Sequence, residues 1–148
     1  MLTNVPSRRL AQMADQRVLI VEDEFLIALD VAATVEAMGL QLVGFASGRS
    51  HALALAHNAD IALVDVNLSD GRTGPGIGRE LAETYGVTVI FMTANPEDVE
   101  HIEEGPLGVL TKPVMPHVVE QSVKFAVANR TGGIAAVPRE LKVFPRHH

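Results

Sequence analysis

The sequence contains no cysteine among its 148 residues, so disulfide bonds, thiol catalysis and cysteine-ligated zinc are excluded. It also lacks an apolar run near the roughly 18–20 residues that a membrane-spanning helix requires. Residues 1–9 include no apolar core of the kind found in a secretory signal. These absences predict a cytoplasmic protein without a membrane contact, and the length predicts one ordinary domain with its own core.

Positive charge is also scarce, because the formal net charge is −6. An acidic balance repels the phosphate backbone, so a direct nucleic-acid partner is not expected. Four of the six histidines show no metal-ligand spacing: His51, His57, His101 and His117. The other two, His147 and His148, end the chain and are consistent with the remnant of a purification tag.

Five short apolar runs predict β-strands: residues 17–21, 41–46, 61–65, 87–92 and 107–110. Helical patterns follow them: Ile27, Val31, Val35 and Met38 at helical spacing, residues 48–58, about 75–85, a segment starting at Asn95-Pro96, and about 115–130. The fourth of these helices is expected at Asn95 because asparagine caps a helix and proline suits its first turn. Strands and helices therefore alternate along the chain.

This alternation predicts an α/β fold with five helices covering both faces of a five-stranded parallel sheet. Five units in so short a chain favour the flavodoxin-like, doubly wound strand order 2-1-3-4-5 over the Rossmann order. The predicted domain covers residues 17–130, between an N-terminal extension at 1–16 and a C-terminal tail at 131–148.

Polar residues follow the apolar runs at the same edge of this predicted sheet. Glu22 and Asp23 follow the first strand, Asp65 ends the third, Thr93 follows the fourth and Lys112 follows the fifth. Three carboxylates repel each other unless a cation balances them, and a donor set of oxygens alone selects Mg²⁺, or Mn²⁺. Beside such a cation Asp65 can remain ionised and attack phosphorus, while Thr93 and Lys112 contact phosphoryl oxygens.

Each residue also has an ordinary structural explanation. Glu22 and Asp23 could simply begin a helix, Asp65 could be a solvated strand end, Thr93 a cap and Lys112 a surface charge. Their joint occurrence at the ends of four strands favours a functional site.

Four motifs closely resemble the receiver domain of two-component response regulators: Val18-Leu19-Ile20-Val21-Glu22-Asp23-Glu24, Leu63-Val64-Asp65-Val66-Asn67-Leu68, Phe91-Met92-Thr93-Ala94 and Leu110-Thr111-Lys112-Pro113. The resemblance covers residues 17–130. It implies that Asp65 is the phosphoacceptor, with Thr93 as the switch hydroxyl and Lys112 as the phosphate-binding lysine.

The same resemblance implies the metal ligands. Asp23 would bind Mg²⁺ directly, Glu22 mostly through metal-bound water, and Asn67 through its backbone carbonyl. A cis peptide bond between Lys112 and Pro113 is also implied.

Two further features refine the resemblance. Receivers typically carry an aromatic switch residue three positions before the lysine, but this chain has Val109 there. The Asp70-Gly71-Arg72-Thr73-Gly74 loop and Asn95-Pro96-Glu97 resemble receivers attached to sigma-factor mimics in bacterial stress regulation, and their stand-alone relatives.

The leading hypothesis is a single-domain response regulator without enzymatic turnover. A histidine kinase or phosphotransfer protein would phosphorylate Asp65, and the output would be a phosphorylation-dependent protein contact or a phosphorelay step. A homodimer through the fourth helix, fifth strand and fifth helix is one form of that contact. No output domain is expected after the fifth helix.

Three alternatives remain at this stage. A receiver-like interaction module that takes no phosphate is favoured by Val109. An Mg²⁺-dependent phosphohydrolase of the haloacid-dehalogenase kind is disfavoured, because those enzymes need a second aspartate where Asn67 stands. A dinucleotide site is weakly suggested by glycines after the third strand, whose spacing differs from the phosphate-binding fingerprint and instead indicates loop shape: Gly71, Gly74, Gly76 and Gly78.

Overall fold

The computed structural model describes Met13 and residues 15–68, 70–102 and 104–145. Most of the predicted N-terminal extension, together with His147 and His148, lies outside these residues. The five apolar runs form five parallel strands: β1 Arg17–Val21, β2 Gln41–Ala46, β3 Ile61–Asp65, β4 Thr88–Thr93 and β5 Gly108–Thr111. All five residues of β3 are buried, as expected for a central strand that is covered on both faces.

The predicted strand order is confirmed, since the sheet runs β2-β1-β3-β4-β5 before a sixth strand. β3 pairs with β1 on one side and with β4 on the other. Val21 lies opposite Val64, so the chain leaves β1 and β3 at neighbouring points of the same sheet edge. The doubly wound α/β fold thus places the candidate residues together.

Four α-helices are present in the described part of the chain: α1 Phe25–Ala37, α2 Arg49–Leu55, α3 Gly74–Tyr85 and α4 Pro116–Thr131. α1 and α4 cover one face of the sheet, in a core that includes Ile20 and Leu63. α2 and α3 cover the other face, where Leu19 and Val64 are buried. Side chains that alternate along each strand therefore supply two cores.

The helix predicted to begin at Asn95 is shorter than expected, because the described residues there form a 3-10 turn, Pro96–Val99. The Asn95 side chain makes no capping hydrogen bond, and its backbone N–H donates to Thr93 Oγ1 at 3.1 Å. Val99 at the end of the turn and Ile102 beyond it are buried. Both belong to the same buried cluster, whose other members come from distant parts of the chain.

The segment predicted as a C-terminal tail adds a sixth strand, so the expectation of five strands is incomplete. β6, Lys142–Val143, pairs antiparallel with β5, with Val143 opposite Gly108. Leu141 and Phe144 on either side of β6 are buried. Among the described residues, no helix combines the length and apolar character that a bilayer crossing demands.

Candidate functional site

Three carboxylates meet at the carboxyl edge of the sheet. Glu22 follows β1 and Asp65 ends β3, and their relative solvent exposures are only 3% and 4%. Asp23 is exposed at the mouth of the same cleft. One oxygen of each carboxylate lies within 4.8 Å of an oxygen of the other two. The structure thus brings together the three acidic side chains that the sequence singled out.

Lys112 supplies a positive charge to this cluster. Its Nζ lies 3.2 Å from Asp65 Oδ2 and 3.4 Å from Glu22 Oε1. Its backbone N–H donates to the Thr93 carbonyl at 2.8 Å, which anchors the lysine beside the end of β4. The Lys112-Pro113 peptide bond is cis, as the resemblance implied.

Burial and charge change the protonation chemistry of the cleft. Desolvation, followed by repulsion from Asp65, raises the pKa of Glu22 to about 7. Burial alone would lower the pKa of Lys112. Attraction to the Glu22 and Asp65 carboxylates outweighs the effect of burial and raises the pKa of Lys112. Glu22 therefore binds a proton more readily than an exposed carboxylate does, while Lys112 holds its own proton more firmly.

This donor set fits a hard divalent cation. The carboxylates of Glu22, Asp23 and Asp65 converge, and oxygen ligands of this kind suit Mg²⁺. A dication would offset the repulsion that now raises the pKa of Glu22. These three residues are the ones that would hold it, and the cation would neutralise negative charge on a phosphoryl group.

Asn67 and Thr93 complete the group of predicted residues. The Asn67 backbone N–H donates to Asp65 Oδ1 at 3.2 Å, so this residue orients the carboxylate. Contact between the Asn67 carbonyl and a metal stays a prediction. Thr93 is buried at the end of β4, one position beyond Met92, which pairs with Asp65. Its Oγ1 accepts the Asn95 N–H and is held close to the cleft.

Sequence reasoning missed the role of Gly74 in this site. A Cβ atom at Gly74 would overlap the Asp65 carbonyl and the Val66 backbone, so α3 approaches the end of β3 through this glycine. A Cβ at Gly78 would overlap the Phe91 ring in the same way. The clustered glycines were a signal for this close packing, although spacing alone indicates only loop shape.

Comparison with known proteins matches residues 18–124 to the response regulator receiver domain. The chain belongs to this family. The phyllosphere-induced regulator PhyR of Methylorubrum extorquens is 35% identical over 130 residues, which cover 85% of this chain and 49% of PhyR. The transcriptional regulatory protein PdtaR of Mycobacterium tuberculosis is 30% identical over 118 residues, or 76% of this receiver and 57% of PdtaR. The receiver spans about half the length of the curated relatives it matches.

Solved structures give the same result. The response regulator PhyR of Brucella abortus superimposes with a TM-score of 0.71 at 32% identity, covering 85% of this receiver and 54% of PhyR. The receiver domain of PhyR from Erythrobacter litoralis has a TM-score of 0.70 at 28% identity, covering 84% and 95% of the two chains. The predicted resemblance to response regulator receivers is confirmed, and several of the similar proteins are PhyR-type regulators.

Apolar side chains are exposed next to the cleft of this receiver. Phe25 and Leu26 begin α1 just after the acidic residues, and they expose 67% and 77% of their surface. Met115 is also exposed, three residues after Lys112 and directly before α4. α1 and α4 contact each other, so these side chains lie on adjoining elements.

Proposed function

We propose that this receiver accepts a phosphoryl group on Asp65 from a phosphohistidine of a kinase or phosphotransfer protein. It then signals through a phosphorylation-dependent protein contact or passes the group on. The observation that carries this proposal is the buried Asp65 carboxylate, which lies 3.2 Å from Lys112 Nζ and among three converging carboxylates. This combination suits nucleophilic attack by an ionised carboxylate.

In the transfer step an Asp65 carboxylate oxygen attacks phosphorus, and its electron pair forms the new P–O bond. The P–N bond to the donor histidine breaks, and its electron pair stays on that imidazole nitrogen. The imidazole leaves as a neutral ring because its other nitrogen carries a proton. Lys112 donates to a phosphoryl oxygen, and the Asn67 N–H holds Asp65 in place. Glu22, Asp23 and Asp65 would hold the divalent cation. The phosphoryl group is the only group transferred between the two proteins.

After transfer, Thr93 responds to the new charge. Its hydroxyl is close to the cleft and now accepts a hydrogen bond from the Asn95 N–H. Donation of this hydroxyl to a phosphoryl oxygen draws Thr93 inward and shifts the segment that begins at Asn95. Local phosphorylation chemistry thereby reaches a larger surface.

The receiver presents a surface on which the donor protein can dock. Phe25, Leu26 and Met115 present apolar area beside the acidic cleft. A partner that covers them would exclude water from the reacting groups and bring its phosphohistidine to Asp65. Asp23 is exposed at the mouth of the cleft that this surface borders.

The test is intact-mass measurement after incubation with acetyl phosphate or phosphoramidate and Mg²⁺. We expect a mass gain of one phosphoryl group in the unaltered protein and none in Asp65→Asn. The matched control is Asp70→Asn, because Asp70 is exposed and its carboxylate accepts a hydrogen bond from the Thr73 hydroxyl, outside the acidic cleft. A gain that persists in Asp65→Asn, or no gain in the unaltered protein, would contradict the assignment.

A further inference from the structure

The C-terminal segment 138–145, which we call the strap, packs onto the receiver as part of its core. Pro138, Leu141 and Phe144 are buried, and the Phe144 N–H donates to the Leu107 carbonyl at 2.9 Å. The Phe144 ring meets Phe91 of β4 edge-on, with ring centroids 6.4 Å apart. Residues after the last helix thus contact the central sheet.

The strap covers the edge of β5. Gly108 and Val109 pair with Val143 and Lys142, and a Cβ atom at Gly108 would lie 2.5 Å from the Lys142 carbonyl oxygen. Glycine at this position therefore admits the strap backbone at close range. An uncovered edge strand would present unpaired N–H and C=O groups to other chains.

The strap also contacts the segment that follows β4. Lys142 Nζ lies 3.1 Å from Glu100 Oε1, just after the 3-10 turn. Phe144 shares its buried cluster with Val99 and Ile102 of the same segment. The pairing with β5 is only two residues long, so its stability depends on these side-chain contacts.

The segment after β4 is also connected to the proposed phosphorylation site at Asp65. It begins at Asn95, whose N–H is held by Thr93 Oγ1. The same segment carries Val99 and Glu100, which contact the strap, so a movement of Thr93 toward Asp65 would act on it. Val109 occupies the position of the usual aromatic switch, and Phe144 supplies an aromatic ring to the buried cluster that contains Val109.

We propose that the strap is a phosphorylation-released latch: it closes the β5 edge in the unmodified protein and detaches when Thr93 engages the phosphoryl group on Asp65. Detachment removes Phe144 from its cluster and uncovers β5. The aromatic element that responds to phosphorylation is then contributed by the C-terminal segment instead of β5. This inference rests on the proposed function of Asp65.

Hydrogen exchange of the full chain, read by mass spectrometry over residues 138–145, tests the latch. With acetyl phosphate and Mg²⁺ we expect the Phe144 amide to exchange about five- to tenfold faster, the factor for one lost backbone hydrogen bond. Asp65→Asn should show no change under the same conditions. Intact mass is read in each sample, so the two proposals are tested separately.

A phosphoryl mass gain without faster exchange of the strap would overturn the latch and leave the phosphoacceptor assignment standing. No mass gain would remove the phosphoacceptor assignment and the latch with it. Faster exchange in Asp65→Asn as well would overturn the link between the strap and Asp65.

A second arm needs no phosphorylation. Lys142→Glu places two negative charges together and should speed exchange of the strap about threefold, within the range of exposed ion pairs. The matched control is Lys124→Glu, because the Lys124–Glu120 pair has the same 3.1 Å separation and similar side-chain exposure, 54% and 46% against 61% and 53%. Equal exchange in the two variants would overturn the role of Glu100 in holding the strap.

Discussion

At the scale of single residues, Glu22 illustrates how folding creates reactivity in this receiver. In an unfolded chain its carboxyl would have an ordinary pKa of 4.5, but burial and Asp65 raise its pKa to about 7. Lys112 offsets part of this repulsion without removing it. A cation bound in the cleft would therefore compete with a proton on Glu22.

This competition predicts pH-dependent metal binding. Below about pH 7 Glu22 holds a proton that Mg²⁺ must displace, so Mg²⁺ affinity should rise as pH increases through about 7. The slope should not exceed about tenfold per pH unit for one proton. Calorimetric titration of Mg²⁺ across this range measures it.

Glu22→Gln is the control for that experiment, because it removes the titrating carboxyl and leaves the histidines unchanged. We expect the pH dependence near 7 to disappear in this variant. A pH-independent affinity in the unaltered protein, or an unchanged dependence in Glu22→Gln, would contradict the prediction.

At the scale of elements, the approach of α3 to β3 determines where Asp65 lies. Gly74 permits the contact, since any side chain there would overlap the backbone of Asp65 and Val66. Gly76 belongs to the same helix, but a Cβ there would meet nothing within 4 Å. The two glycines look equivalent in the sequence and differ only in their surroundings.

Gly74→Ala should lower the free energy of unfolding by about 1–3 kcal/mol, because backbone atoms must move to relieve the overlap. The same shift should displace Asp65 and slow its phosphorylation by acetyl phosphate. Gly76→Ala should leave stability unchanged or raise it by up to about 1 kcal/mol. Urea unfolding and labelling rates compare the two variants, and equal behaviour would refute the packing role of Gly74.

The elements also differ in how well local patterns predict them. The apolar runs of β1, β3 and β4 are continuous and predict buried strands correctly. The 3-10 turn Pro96–Val99 and β6 are accompanied by contacts distant in sequence, namely the buried cluster around Val99 and the edge of β5. Leu141-Lys142-Val143-Phe144 has apolar residues at both ends, a signal too short to identify a strand without its partner.

At the scale of the whole molecule, folding concentrates negative charge at one edge of the sheet. Three carboxylates from the ends of two separate strands come within 4.8 Å, and one lysine accompanies them. Repulsion among these carboxylates destabilises the folded state until a cation is bound. Global stability should therefore depend on divalent metal.

Mg²⁺ at 100 times its dissociation constant should stabilise the fold by about 2.7 kcal/mol, because the unfolded chain has no assembled site. Thermal unfolding in Mg²⁺ and in EDTA measures the difference as a rise in Tm. Asp23→Asn should reduce that rise, while Asp30→Asn, which changes an exposed acid within α1, should not. An equal rise in both variants would mean that Mg²⁺ acts through general charge screening.

The five parallel strands, the residues at their carboxyl ends and the oxygen-only character of the site can be predicted from the amino-acid sequence, because apolar periodicity and side-chain chemistry are local. The motifs at 18–24, 63–68, 91–94 and 110–113 were enough to identify the family. Only the tertiary structure decided the pKa of Glu22, the close packing at Gly74, the 3-10 turn after β4 and the docking of the strap. Each of these depends on atoms far apart in the chain, whose distances exist only after the sheet has formed.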